Sequence, residues 1–163
     1  MEDVLVPRRT SLLVAILSSL VLLFSLSVAT ASAAHHPGAH IFVVELTGAA
    51  EVPGPGDPDA TGTAAILVIP AADLICYQLT WQNIDGTVFG AHIHEGAEDE
   101  AGDIVVTLFG GPLGPSTAFS GTDSFQSCTR SAEADGIADN PENYYVNIHS
   151  DVYPGGAIRG QLA

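Results

Sequence analysis

The sequence contains no lysine, and only four arginines stand against 19 acidic residues among its 163 positions, which gives a formal net charge of −15. Arg8 and Arg9 precede a long apolar stretch, so Arg130 and Arg159 are the only arginines in the remainder of the chain. A surface with this excess of negative charge repels nucleic acid and anionic lipid. The composition therefore excludes both as partners and favours cations, basic partners or solubility alone.

Catalytic fingerprints are also missing. The sequence has no Gly-x-Ser-x-Gly motif, no phosphate-binding loop and no dinucleotide-binding glycine pattern. Ser150 follows His149 directly, but adjacent residues of a strand point to opposite faces and so cannot act as a pair. Hydrolase chemistry therefore has little support, and the residues point to no particular enzyme activity.

Cysteine occurs only twice, as Cys76 and Cys128. An even number of cysteines in an exported chain predicts a disulfide. The alternative is a pair of thiolate ligands for a metal, but the Cys-x-x-Cys spacing typical of such ligands is absent. We therefore expect a structural disulfide that closes a loop of roughly 50 residues.

The beginning of the chain has the pattern of an export signal. Arg8 and Arg9 form a positive region, residues 11–29 are uncharged and mostly apolar, and Ala31-Ser32-Ala33 fits the small-residue cleavage rule. Residues 1–33 are therefore predicted to be a signal peptide, which places the mature protein outside the cytoplasm (secreted, at the cell surface or in the periplasm) with no stable membrane span. The alternative is a retained anchor, because the apolar run is long enough to span a bilayer. The arginine pair leaves general and twin-arginine export both open.

Beyond a flexible leader at residues 34–39, residues 40–163 are predicted to form one domain. Hydrophobicity alternates with a period of two in short runs that are separated by clusters of Gly, Pro, Asp and Asn, which predicts a single antiparallel β-sandwich of about 7–9 strands. Residues 131–140 differ, because they predict one short helix that ends before Pro141. The expected strands are residues 41–46, 63–69, 74–81, 88–94, 104–109, 144–149 and 157–162.

Three histidines are candidate metal ligands. Strand alternation places His92 and His94 on one face of a strand, and His149 lies in another predicted strand. Three histidines in a small exported β domain suit copper or zinc. Asn147 or Glu95 would then supply hydrogen bonds to the ligands. The alternative is that these histidines are structural and that each bonds to backbone or to a carboxylate.

The remaining charged residues suggest structure or solvation. The run of acids from Glu95 to Asp103 could offer oxygen ligands to calcium, but it lacks the spaced pattern of a calcium loop and is typical of a solvated loop. Arg159 is one of two arginines in an acidic domain, so we predict that it forms an ion pair and thereby pins the last strand.

Several of these segments together resemble the CHRD domain, which is named for chordin. The similarity lies in residues 46–53, 90–96, 104–109, 140–150 and 154–162, in order along nearly the whole of residues 40–163. One departure is Ala157, where the family usually has Glu in a Gly-Glu-Ile-Arg-Gly run. The resemblance implies a stand-alone, bacterial-type secreted member with a β-sandwich-like module, whose partner would be an unknown extracellular protein or surface ligand.

Three functional hypotheses follow. The first is a secreted binding module that holds a metal ion at His92, His94 and His149. The second is a copper–zinc dismutase-like redox protein, by analogy with another β-sandwich family, although the bridging histidine and the full zinc ligand set of that family are not apparent. The third is a purely structural envelope module in which the histidines only support the fold.

Overall fold

The structure, a computed structural model, describes residues 38–110 and 118–163. The predicted signal peptide at 1–33 and most of the predicted leader lie outside these residues. In the described part, no helix is sufficiently long and apolar to cross a membrane.

In residues 38–110 and 118–163, eight antiparallel strands form one continuous sheet, which confirms the predicted all-β class and strand number. The order across the sheet is β5-β4-β7-β8-β1-β2-β3-β6. The strands are β1 (His40–Thr47), β2 (Thr61–Ile69), β3 (Leu74–Gln82), β4 (Val88–Glu95), β5 (Asp103–Phe109), β6 (Asp123–Arg130), β7 (Tyr144–Ser150) and β8 (Ile158–Gln161).

The two ends of the sheet approach each other, so the sheet is nearly closed into a barrel. Phe109 of β5 and Phe125 of β6 pack with their ring centroids 5.0 Å apart. The Tyr77 hydroxyl donates a hydrogen bond to the carbonyl oxygen of Leu108. The two packed halves that the sequence predicted therefore belong to a single curved sheet, and the hydrophobic core lies between them.

The predicted short helix is confirmed as α1 (Ala134–Asp139), which buries Ala134, Ile137 and Ala138. Three 3-10 turns occupy Gly48–Ala50, Pro70–Ala72 and Pro141–Asn143. The last turn begins at the proline that was expected to end the helix.

The disulfide between Cys76 and Cys128 is present and spans 52 positions of sequence. It joins directly opposed residues of β3 and β6. Strand β6 is not among the strands predicted from the sequence. Its burial pattern explains why: it is an edge strand whose residues are mostly exposed, so it lacks the apolar alternation that reveals a half-buried strand.

Candidate metal centre

The candidate centre lies on the face of β4, β7 and β8 that points away from the hydrophobic core. Ala91 and Ile93 of β4 and Ile148 of β7 belong to the core. Because alternate residues of a strand face opposite ways, their neighbours His92, His94 and His149 point to the other face. The polar residues of this face are nevertheless buried, so loops cover it.

The pairing of β4 with β7 brings the three histidines together. His92 lies opposite Asn147, His94 opposite Tyr145, and Gly90 opposite His149. A Cβ atom at Gly90 would lie 3.4 Å from Cε1 of His92, in ordinary van der Waals contact with the ring. The histidines that were far apart in sequence therefore converge, as the sequence-based hypothesis required.

The ring nitrogens of His92, His94 and His149 offer one ligand atom each, all within 4.8 Å of one another. The ring centroids of His92 and His149 are 4.9 Å apart, and each lies 5.9 Å from that of His94. A metal–imidazole bond is about 2.0–2.1 Å long. Three nitrogens at this distance from one ion lie about 3.4 Å apart, so a bound ion would draw the rings together by on the order of 1 Å.

Two of the rings are oriented by backbone carbonyls. Nδ1 of His94 lies 2.9 Å from the carbonyl oxygen of Gly102, and Nδ1 of His149 lies 3.1 Å from that of Pro154. Because a carbonyl only accepts, both Nδ1 atoms must carry the proton, which leaves both Nε2 atoms with a free lone pair. These Nε2 atoms, and both ring nitrogens of His92, are buried without a hydrogen-bond partner.

Burial keeps the rings neutral. Burial, together with the charges of His149 and His94, lowers the pKa of His92 to about 3. Burial and the charge of His94 lower the pKa of His149 to about 4, against the opposing effect of the Pro154 carbonyl. The pKa of His94 is also lowered, first by burial. Neutral imidazole is the form that binds a metal.

Asn147, expected beside the histidines, lies within this face and is 3 % exposed. Its Nδ2 donates a 3.0 Å hydrogen bond to Oε2 of Glu51, while its Oδ1 is buried without a partner. Glu95 directly follows His94 at the end of β4, and its side chain is exposed. A hydrogen bond donated by a histidine ring N–H to the Glu95 carboxylate stays a prediction.

Glu51 is the residue that the sequence analysis missed. It is 6 % exposed, and burial raises its pKa to about 7 although the Asn147 hydrogen bond and the charge of Arg159 both lower it. It also lines a cavity of about 250 Å³ that is bounded by residues 52–55 and 152–156. The only signal in the sequence was its position in the segment 46–53 that resembles the CHRD domain, since nothing local indicates burial.

Arg159 is 1 % exposed and packs against the same face. Its guanidinium donates hydrogen bonds to the carbonyl oxygens of Glu100 and Ala97, at 2.7 and 2.6 Å, and lies 3.4 Å above the Tyr145 ring. The sequence predicted an ion pair for Arg159. Among the described residues, its charge lowers the pKa of Glu51, and its guanidinium donates hydrogen bonds to carbonyl oxygens and to the side chain of Gln161. The ion pair stays a prediction.

The fold and this centre define a small, disulfide-linked, all-β domain with a buried histidine triad. Residues 42–162 match the family model of the CHRD domain, so the chain belongs to the CHRD family, as its motifs indicated. Membership implies a small interaction module of a kind found outside cells. Neither the curated proteins nor the solved structures gave a match to the chain.

Proposed function

We propose that this CHRD domain is an exported interaction module that binds one copper or zinc ion through Nε2 of His92, His94 and His149. The observation that carries the proposal is the set of three buried Nε2 atoms without hydrogen-bond partners, on rings whose ligand atoms lie within 4.8 Å of one another. An unpartnered buried polar atom costs about 1–3 kcal/mol. Three such atoms within 4.8 Å of one another destabilise the fold unless something binds them.

The hydrogen bonds at the Nδ1 atoms of two rings support a role in metal binding rather than a purely structural role. Metal-ligating histidines usually donate their second N–H to a carbonyl or carboxylate, which fixes the ring. His94 and His149 make this bond to Gly102 and Pro154. A histidine that only supports the fold would satisfy both ring nitrogens, and His92 satisfies neither.

Export has separate support. The pattern of residues 1–33 is that of a signal peptide. The Cys76–Cys128 disulfide suits an oxidising compartment. The acidic, lysine-free composition suits a soluble module that meets its partners through its surface. Whether the partner is a protein or another surface ligand depends on chemistry outside this triad.

The dismutase-like hypothesis has less support than simple metal binding. That chemistry in the copper–zinc family uses a second metal that shares a histidine with the first. In the described residues, the cluster that could hold an ion consists of three histidines only. A redox activity is therefore not part of the proposal.

X-ray absorption of the purified, metal-loaded domain tests the proposal directly. Binding at the triad predicts a first shell dominated by three imidazole nitrogens at about 2.0 Å. A His149→Phe variant should lose this shell. A first shell of oxygen atoms alone, unchanged in the variant, would place the metal on surface carboxylates and refute the proposal.

A further inference from the structure

The charges around the histidine triad determine which ion it prefers. The three imidazoles are neutral, and they contribute no negative charge to neutralise a cation. No carboxylate or thiolate joins them in the cluster that the described residues form. Any compensation for the charge of a bound ion must therefore come from groups outside the three histidines.

The fully buried cation near the triad is Arg159. Its guanidinium carbon lies 3.4 Å from the centroid of the Tyr145 ring, and the His94 ring stacks on Tyr145 with centroids 4.8 Å apart and planes 8° from parallel. Two groups this close cannot share one face of a ring, so Tyr145 is sandwiched between Arg159 and His94. The guanidinium charge of Arg159 therefore lies close to the His94 ring, separated from it by the Tyr145 ring.

The buried carboxyl near the triad offsets the positive charge of Arg159 only weakly. Glu51 reaches the triad only through Asn147, which lies opposite His92. Burial raises the pKa of Glu51 to about 7, so a large fraction of it is protonated at neutral pH. The carboxylate of Asp103 also acts on His94, but Asp103 is exposed and its charge is screened by solvent. Among the described residues, the buried permanent charge beside the triad is thus positive.

The triad is also closed to solvent. The three Nε2 atoms have almost no accessible surface, and the three side chains are at most 7 % exposed. A divalent ion such as Zn²⁺ that is bound by three histidines usually takes a fourth ligand, often water. A buried site with three neutral nitrogens and a neighbouring cation favours a singly charged ion over a doubly charged one. The reason is that the free energy cost of burial rises with the charge that is buried.

We infer that the triad is selective for monovalent copper over Zn²⁺ and Cu²⁺. This inference rests on the proposed metal binding at His92, His94 and His149 and specifies its ligand. With an effective dielectric constant of about 20 and a separation on the order of 10 Å, the repulsion between Arg159 and one additional positive charge corresponds to on the order of tenfold in affinity.

The test compares three ions on the metal-free domain under anaerobic conditions. Cu⁺ is supplied as a complex with a chromophoric chelator, and Zn²⁺ and Cu²⁺ are titrated separately with their own competing chelators. We expect one equivalent of Cu⁺ to bind at least about tenfold more tightly than either divalent ion and to remain bound in excess Zn²⁺. Equal or tighter binding of a divalent ion would overturn the selectivity but leave the metal site intact. Binding of none of the three would overturn the proposed function itself.

A charge-adding variant tests the cause of the selectivity. Asn147→Asp places a carboxylate opposite His92. The ratio of the Cu⁺ affinity to the Zn²⁺ affinity should then fall by a factor on the order of ten. Asn143→Asp adds the same charge at an exposed position and should leave the preference unchanged. An unchanged preference in Asn147→Asp, or an equal change in both variants, would contradict the electrostatic origin. If Asn147→Asp fails to fold, the comparison of the three ions on the parent domain still decides the selectivity.

Discussion

Asn147 donates a 3.0 Å hydrogen bond from Nδ2 to Oε2 of Glu51, a residue 96 positions earlier in the chain. The bond joins the turn after β1 to the middle of β7, directly opposite His92. It holds a buried carboxyl near the histidine triad and Arg159, and so gives this face a buried acid.

Glu51→Gln should change how stability depends on pH. The carboxyl has a pKa of about 7 in the folded protein against a model value of 4.5, so the folded state binds the additional proton between these values. Stability therefore falls as pH rises through this window, by up to about 3 kcal/mol for the full shift. The amide cannot ionise, so the variant should match the parent near pH 5 and be more stable near pH 8.

Urea unfolding of the metal-free proteins at both pH values measures this difference. Subtracting the parent from the variant cancels the titration of the histidines, which both share. Glu45→Gln, at an exposed position of β1, is the matched control. A stability difference between Glu51→Gln and the parent that stays constant from pH 5 to pH 8 would show that Glu51 does not titrate in this range.

His92→Leu should separate a metal ligand from a structural histidine. Both ring nitrogens of His92 are buried without a partner, so the metal-free protein loses no hydrogen bond in this substitution. We expect its free energy of unfolding to stay within about 1 kcal/mol of the parent or to increase, because an unsatisfied buried polar group is removed. The same variant should no longer gain thermal stability on addition of metal.

Thermal unfolding without metal measures the stability of the variant, and unfolding with metal measures how far the ion stabilises it. His40→Ala, which changes a histidine at the start of β1, is the control that should keep the stabilisation by metal. A loss of about 3 kcal/mol or more in metal-free His92→Leu would support the structural hypothesis instead.

Arg159→Lys should weaken the loop that covers the candidate centre. The guanidinium holds the carbonyl oxygens of Ala97 and Glu100 and stacks on Tyr145, and a lysine cannot reproduce the planar stack and the two-point bonding. The expected cost is about 3 kcal/mol, together with faster amide exchange in residues 96–102. Hydrogen exchange and urea unfolding measure the two effects.

Arg130→Lys is the matched control. Arg130 is exposed and donates to a single carbonyl oxygen, that of Ala72, so the same substitution there should cost less than about 1 kcal/mol. Equal effects at both positions would mean that Arg159 has no special role in holding the loop.

Removal of the disulfide by a double Cys76→Ala/Cys128→Ala substitution should destabilise the domain. A bridge that spans 52 positions is worth about 4 kcal/mol in the chain-entropy model. It also fixes β6, an edge strand with little buried surface, to β3. Urea unfolding gives the cost when the variant, and separately the parent under reducing conditions, is compared with the oxidised parent. A loss below about 1 kcal/mol in both would show that strand pairing alone holds β6.

The sequence predicted the parts of this molecule that depend on local alternation. Seven of the strands, the short helix and the shared face of His92 and His94 all follow from patterns that extend over a few residues. Strand β6 could not be predicted in this way, because its residues are mostly exposed on both sides. The burial of Glu51 and the carbonyl partners of His94 and His149 depend on loops that fold over β4 and β7, and no local pattern encodes such contacts.

The most direct test of metal binding at the triad is the metal content of the protein produced with its own export signal and purified without chelator or affinity tag. We measure the parent, His92→Leu and the His40→Ala control by mass spectrometry of the metals. The account predicts one equivalent of copper or zinc in the parent and in His40→Ala, and none in His92→Leu. A parent that carries no copper or zinc and acquires neither when they are supplied would contradict it, as would full metal content in His92→Leu.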